Sequence, residues 1–194
     1  MSRFSVTVFC GSNPGNAPTY AEAAQTLGTG LAKRGMRLVF GGGHVGLMGL
    51  TAGAALAAGG EVVGIIPDFL RQREVEFKGL TELIVTDSMH TRKRRLFALG
   101  DAFLVMPGGL GTYDETFEIL TWKQLAQHSK PIILVDILGW SAAFVAIVED
   151  AIARGFAKPN IRDLFEIQPD VPAALARLEA LHPARAQPHY QSAD

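Results

Sequence analysis

Runs of nearly unbroken apolar residues recur along the chain, at 5–10 (SVTVFC), 36–40 (MRLVF), 61–66 (EVVGII), 82–86 (ELIVT), 102–106 (AFLVM) and 131–136 (PIILVD). Short runs without polar alternation mark strands covered on both faces, as in parallel sheets flanked by helices. A weaker seventh run spans 165–168. Between the runs lie alanine-rich stretches with helical spacing, at 19–34, 46–58, 88–99, 112–127, 140–154 and 172–181. Thr19 with Glu22 reads as a capping box opening the first of these, and Gly35 as its stop. Strand and helix alternate throughout, which predicts an α/β domain with right-handed crossovers. No internal repeat or linker interrupts it, so residues 1–181 read as one domain. The segment 182–194 carries Pro183, Pro188 and little apolar content, and reads as a loose tail.

Composition narrows the function classes. The 194 residues are 48% hydrophobic and 19% charged, enough to bury a core without disulfides or metal. A formal net charge of -1 disfavours general DNA or RNA binding, which calls for a basic excess. The single cysteine, Cys10, cannot pair internally, and this predicts a reducing, cytoplasmic setting. The opening MSRFSVTVFCGS lacks a long apolar h-region and reads as a strand, not a signal peptide. No apolar run reaches ~18 residues, so no membrane span is expected.

The 21 glycines cluster. Three glycine-rich loops each follow a predicted strand: residues 10–15 (CGSNPG), 41–49 (GGGHVGLMG) and 107–112 (PGGLGT). In open parallel sheets the carboxyl ends of the strands form the ligand crevice. Glycine lets the backbone approach a ligand and aim N–H groups at an anion, and a following helix adds its positive end. One such loop is often only a tight turn; three on one sheet edge point to a phosphate site. The G-x-G-x-x-G fingerprint is not met cleanly and Gly-Lys-Ser/Thr is absent, so a mononucleotide or sugar phosphate fits better than a dinucleotide or P-loop ligand.

The basic stretch 88–99 (SMHTRKRRLFAL) sharpens this reading. At ~100° per residue, Arg92 and Lys93 fall within the apolar stripe of Met89, Leu96 and Phe97, whereas Arg94 and Arg95 point away. Burying cations is costly unless anions meet them. Either protein carboxylates or an anionic ligand must therefore face Arg92 and Lys93. Glu115 carries two readings: it is spaced from Thr112 as the N3 partner of a capping box, and it is a candidate acid beside a phosphate cradle.

Met89-His90-Thr91-Arg92-Lys93 and Pro107-Gly108-Gly109-Leu110-Gly111-Thr112-Tyr113-Asp114-Glu115 resemble the M-x-x-R-K and P-G-G-x-G-T-x-x-E signatures of the Lonely Guy family. Its members are cytokinin riboside 5′-monophosphate phosphoribohydrolases, many once labelled lysine decarboxylases. Residues 10–15, 41–49, 64–67 and Thr121-Trp122 stand in the expected order, so the resemblance covers nearly the whole chain. It implies a Rossmann-like, doubly wound, mainly parallel sheet of about seven strands, a homodimer, and hydrolysis of the N-glycosidic bond of a nucleoside 5′-monophosphate. Carried over by residue, Arg92 and Glu115 match the catalytic pair. Lys93, Gly108, Gly109, Gly111, Thr112 and Thr121 match nucleotide-contacting positions, and Glu74 matches another. Gly11, Ser12, Gly42, Gly43, Met89 and Asp114 join them as substrate-binding candidates. The chain departs from the family at Asp114, often glutamate; at Leu110, often aromatic; and at His44, often small. These departures bear on base preference.

Glycosidic cleavage develops oxocarbenium charge on the sugar. Glu115 is expected to stabilise that charge or activate water. Arg92 is left with three roles: orienting Glu115, holding phosphate or ribose, or supporting the leaving base. The five histidines show no ligand spacing, so neither metal nor cofactor is expected. Glu115→Gln and Arg92→Ala are each expected to abolish base release with the fold intact. A carrier of a phosphorylated cofactor, such as molybdenum cofactor, is the alternative. A pyridoxal phosphate-dependent decarboxylase lacks a recognisable cofactor lysine. A general AMP nucleosidase differs only in the base.

Overall fold

In the computed structural model, residues 3–71 and 75–182 are described. Seven strands form a single sheet in which every pairing is parallel: β1 (Ser5–Phe9), β2 (Arg37–Phe40), β3 (Val62–Pro67), β4 (Glu82–Thr86), β5 (Ala102–Val105), β6 (Ile132–Val135) and β7 (Glu166–Gln168). Their order is β4-β3-β2-β1-β5-β6-β7. The chain winds outward from β1 on one side, then crosses back to continue from β5 on the other. The doubly wound sheet expected from the sequence is present, and its switch point lies between β1 and β5, where such folds open a crevice.

The five inner strands bury both faces, and their residues alternate between two cores. Val6, Val8, Leu38, Phe40, Leu104 and Ile133 join one with helices α1 (Pro18–Lys33), α2 (Gly46–Ala57) and α6 (Val171–Leu181). Phe9, Val39, Phe103, Val105, Ile132 and Leu134 join the other with α3 (Met89–Leu99), α4 (Leu110–Gln124) and α5 (Ser141–Ala153). This double burial is why the strand runs lack polar alternation. The edge strands β4 and β7 are more exposed, as their weaker apolar content dictates.

Two capping expectations are corrected. Helix α1 begins at Pro18 with Ala17 as N-cap and no side-chain cap, so Thr19 and Glu22 form no box. Proline supplies a fixed φ and lacks the N–H that a cap would satisfy. Helix α4 begins at Leu110 with Gly109 as N-cap, again without a side-chain cap. Thr112 is therefore already inside the first turn, and the capping-box account of Glu115 does not hold. By contrast, Ser88 caps α3, its hydroxyl accepting from the Thr91 N–H at 3.2 Å.

Beyond α4, His128 ties that helix to β6. Its Nδ1 accepts the Lys130 N–H at 3.1 Å, which leaves Nε2 to donate to the Ile119 carbonyl at 2.8 Å. Burial pushes the imidazole pKa below its ordinary 6.5; the Ile119 carbonyl opposes this, and the Lys123 and Lys130 charges reinforce it. The unfolded chain therefore takes up this proton first. Stability contributed by neutral His128 is complete above pH 6.5 and declines as pH falls through the lower folded-state value. Melting temperatures measured from pH 8 down to 5 should fall across this window, and His128→Gln should flatten that slope.

His182, at the start of the expected tail, packs its ring against Phe4 with centroids 5.0 Å apart. The remainder of that segment lies outside the described residues. No described helix is long and apolar enough to cross a membrane.

Candidate active site

The loops after β1 and β5 meet at the switch point. The Gly11 N–H donates to the Pro107 carbonyl at 3.0 Å, and the Met106 N–H to the Phe9 carbonyl at 2.8 Å. Contact is so close that a Cβ on Gly108 would stand 2.0 Å from the Thr112 hydroxyl and 2.8 Å from the Gly11 nitrogen. Only glycine lets these backbones touch. Between them opens a cavity of about 490 Å³, walled by Gly11, Ser12, Gly108, Gly109, Gly111 and Thr112. Arg92 and Glu115, remote from each other in sequence, line the same cavity.

Helical spacing explains which side chains arrive there. Glu115 follows Thr112 by three residues and Gly111 by four on α4, so its side chain shares their face. Asp114 and Glu118 share another, directed at α3, where Lys93 meets Asp114 at 2.7 Å and Glu118 at 3.6 Å. Burial alone would lower the Lys93 pKa; the two carboxylates outweigh it, and the ammonium is held above its ordinary value. Of the two cations in the apolar stripe, Lys93 is thus met by protein carboxylates. Arg94 and Arg95 are exposed, as the wheel predicts.

Arg92 is 5% exposed. Its Nε donates to the Ile65 carbonyl at 3.1 Å and its Nη2 to the Gly41 carbonyl at 2.9 Å, so the guanidinium is pinned on the ends of β3 and β2. A Cβ at Gly41 would fall 2.3 Å from Nη2, so glycine there makes room for the arginine. The Met89 sulfur lies 3.8 Å from Nη1. Every buried side-chain nitrogen and oxygen among the described residues has a hydrogen-bond partner.

Cys10 also lines the cavity. Burial drives its thiol pKa far upward, the Glu115 charge adds to this, and a hydrogen bond with Thr51 opposes it weakly. Cys10 is accordingly a neutral thiol and no nucleophile. Cys10, just past the end of β1, and Glu115 line the same cavity.

The remaining sequence candidates lie elsewhere. Gly42 and Gly43 do not line the cavity; they pair with the following segment, the Phe77 N–H donating to Gly42 at 3.0 Å and Gly43 bridging Glu76. Thr121 is exposed on α4. Glu74 lies outside the described residues. Trp122 borders a separate cavity with His90, Arg94 and Arg95. Sequence reasoning missed Tyr20 and Trp140, which both line the main cavity. Trp140 stood just past an apolar run at the carboxyl edge of the sheet, and that placement was the available signal. Among the described residues, no three His, Cys, Asp or Glu side chains gather as metal ligands, and no lysine lines the cavity.

Residues 48–178 match the family described as "Possible lysine decarboxylase". The chain is 43% identical over 177 residues to the cytokinin riboside 5′-monophosphate phosphoribohydrolase of Rhodococcoides fascians, covering 91% of this chain and 89% of that protein. It is 40% identical over 183 residues to the enzyme of the same name from Arabidopsis thaliana, covering 94% and 86%. Among solved structures, the molybdenum cofactor carrier protein of Chlamydomonas reinhardtii superposes with a TM-score of 0.71 at 21% identity, over 93% of this chain and 98% of that one. The molybdenum cofactor binding protein of Rippkaea orientalis superposes with the same score at 22% identity, over 93% and 98%. The two structural neighbours speak for the fold alone. The family match and the close relatives together establish that the chain belongs to the Lonely Guy family.

Proposed function

We propose that this protein hydrolyses the N-glycosidic bond of a nucleoside 5′-monophosphate, a cytokinin riboside 5′-monophosphate or AMP, and releases an adenine-type base and ribose 5-phosphate. The observation that carries the reading is the convergence of Arg92 and Glu115 on one glycine-walled cavity at the switch point. The relatives named for this reaction support it.

The N–H groups of Leu110, Gly111 and Thr112 belong to the first turn of α4 and have no intrahelical acceptor, so they can receive the 5′-phosphate together with the positive end of the helix. Gly11, Ser12, Gly108 and Gly109 complete that cradle. Phosphate binding positions the sugar, so remote binding energy promotes cleavage. Glu115, one turn further along the same face, meets C1′. As the bond to the base breaks, the carboxylate stabilises the cationic sugar and accepts a proton from the attacking water. The water oxygen becomes the C1′ hydroxyl, and the proton taken up by Glu115 passes on to the departing base nitrogen, so that neutral base leaves and the carboxylate is restored. Arg92 contributes a fixed positive charge beside these groups. In this reading Lys93 and Asp114 serve as a brace between α3 and α4 and Met89 supports the guanidinium, while a substrate role for Thr121 and Glu74 is supported by the family resemblance alone and Gly42 and Gly43 stand outside the cavity.

A Schiff-base cofactor finds no lysine on the cavity wall. The reading also carries a homodimer in the cytoplasm, supported by the family resemblance and by a lone, buried cysteine. Incubation with AMP, GMP, CMP and isopentenyladenosine monophosphate, with the unphosphorylated ribosides as controls, tests the proposal by chromatography. Base should appear from the adenine-type monophosphates and not from the ribosides. Equal rates on the ribosides would remove the phosphate cradle from the account, and AMP retained intact would favour a carrier.

A further inference from the structure

One aromatic residue on the cavity wall has no part in the chemistry above. Trp140 follows β6 through a short 3-10 turn, Ile137–Gly139, in which Leu138 and Gly139 both take left-handed conformations with φ of 54° and 76°. A branched side chain rarely adopts that conformation unless its surroundings dictate it. Across the turn, Oδ1 of Asp136, just before it, accepts from both the N–H at 2.9 Å and the hydroxyl at 2.7 Å of Ser141, just beyond it. The indole is therefore delivered by a clamped corner and not by a loose loop.

Trp140 makes two directed contacts. Its Nε1–H donates to the Gly108 carbonyl at 3.1 Å. Its ring stacks on Tyr113, with centroids 5.1 Å apart and planes 11° from parallel. Gly108 belongs to the loop after β5, and Tyr113 to the first turns of α4, where its N–H bonds the Gly109 carbonyl at 3.1 Å. Trp140 thus grips both sides of the corner that forms the cavity wall. The peptide between Gly108 and Gly109 is flanked by glycine on both sides, and its rotation is otherwise weakly restrained. A peptide is planar and trans, so its carbonyl and N–H point in opposite directions. Anchoring the Gly108 carbonyl consequently fixes where the Gly109 N–H points.

We infer that Trp140 is a positioning residue that sets the loop between β5 and α4 to receive the phosphate of the substrate. The inference rests on the reading that this cavity takes a nucleoside 5′-monophosphate. Trp140→Phe retains a ring for the stack and loses the donor. One neutral hydrogen bond is worth about a threefold to tenfold change in affinity. The dissociation constant for ribose 5-phosphate, by titration calorimetry, and the KM for AMP should rise by about that factor in Trp140→Phe. Under the same change kcat should fall by a smaller factor than KM rises, because most of the lost contact is made in both the bound complex and the transition state. Trp140→His keeps a ring N–H and should recover part of the affinity, which a purely structural role would not predict.

Wild-type affinity for ribose 5-phosphate in Trp140→Phe would overturn the inference. So would equal weakening of adenosine and AMP, or Trp140→His binding more weakly than Trp140→Phe. Should the wild-type protein bind ribose 5-phosphate in a Trp140-dependent way yet release no base, the hydrolase reading fails and the positioning role stands. Absence of any ribose 5-phosphate binding by the wild type would overturn the role itself.

Discussion

Glu115→Gln lowers the rate of base release by ~10²–10⁴-fold, the range for losing a group that moves a proton in the transition state. The substitution keeps the side chain's size and exchanges a carboxylate for an amide, which neither balances an oxocarbenium ion nor takes a proton from water. Glu115 caps nothing, because α4 starts at Leu110 and its N-cap is Gly109. The start of the helix should therefore be spared, and assays well below the melting temperature separate any change in stability from the catalytic loss. The charge lost beside Cys10 supplies a second readout: the thiol pKa, which the Glu115 carboxylate raises, should shift downward in the variant, although burial still keeps it high. Single-turnover release of adenine from AMP measures the main effect. Turnover within about tenfold of wild type would place the reacting carboxylate elsewhere.

Arg92→Ala combines two losses. Base release should fall by at least ~10²-fold, because the only guanidinium on the cavity wall among the described residues disappears. The sequence alone suggested that the fold would be untouched. Geometry argues otherwise, since Nε and Nη2 satisfy the carbonyls of Ile65 and Gly41 at the ends of two central strands. Each carbonyl left buried without a donor costs about 1–3 kcal/mol, so the variant should lose about 2–6 kcal/mol of stability. Chemical denaturation gives this number, and assays well below the melting temperature separate it from the catalytic loss. Arg92→Lys keeps the charge but cannot span both carbonyls with a rigid fork. It should fall between alanine and wild type in stability, and a lysine variant as unstable as alanine would mean that the charge itself contributes nothing.

Much of this was legible in the chain because local and global signals agree. Apolar runs without alternation correspond to strands buried on both faces, and Gly35, with φ of 66°, ends α1 as a stop should. Where a signal was missing, the reading slipped. Helix α4 ends at Gln124 and not at 127, because Ala126 takes the left-handed position, with φ of 56°, that glycine marks elsewhere. The Thr112–Glu115 spacing suited a cap, yet the two glycines at 108 and 109 let the helix start earlier. Arg92 and Lys93 were both legible as partly buried cations. Their separate destinations, backbone carbonyls for one and Asp114 for the other, depend on how α3 lies against its neighbours, which no local pattern encodes. The place of Trp140 past β6 was a signal, but its contact was hidden for the same reason: its partner Gly108 stands 32 positions away.

The meeting of the β1 and β5 loops bears on how the molecule comes to life during refolding. Gly11 and Pro107 touch only after β1 has found β5, and three other strands and their crossovers lie between those two in the chain. Loop closure over so many residues is entropically expensive and tends to come late. Helical circular dichroism should consequently return before catalytic competence, and a chain arrested with only its amino-terminal half docked would look structured while remaining inert.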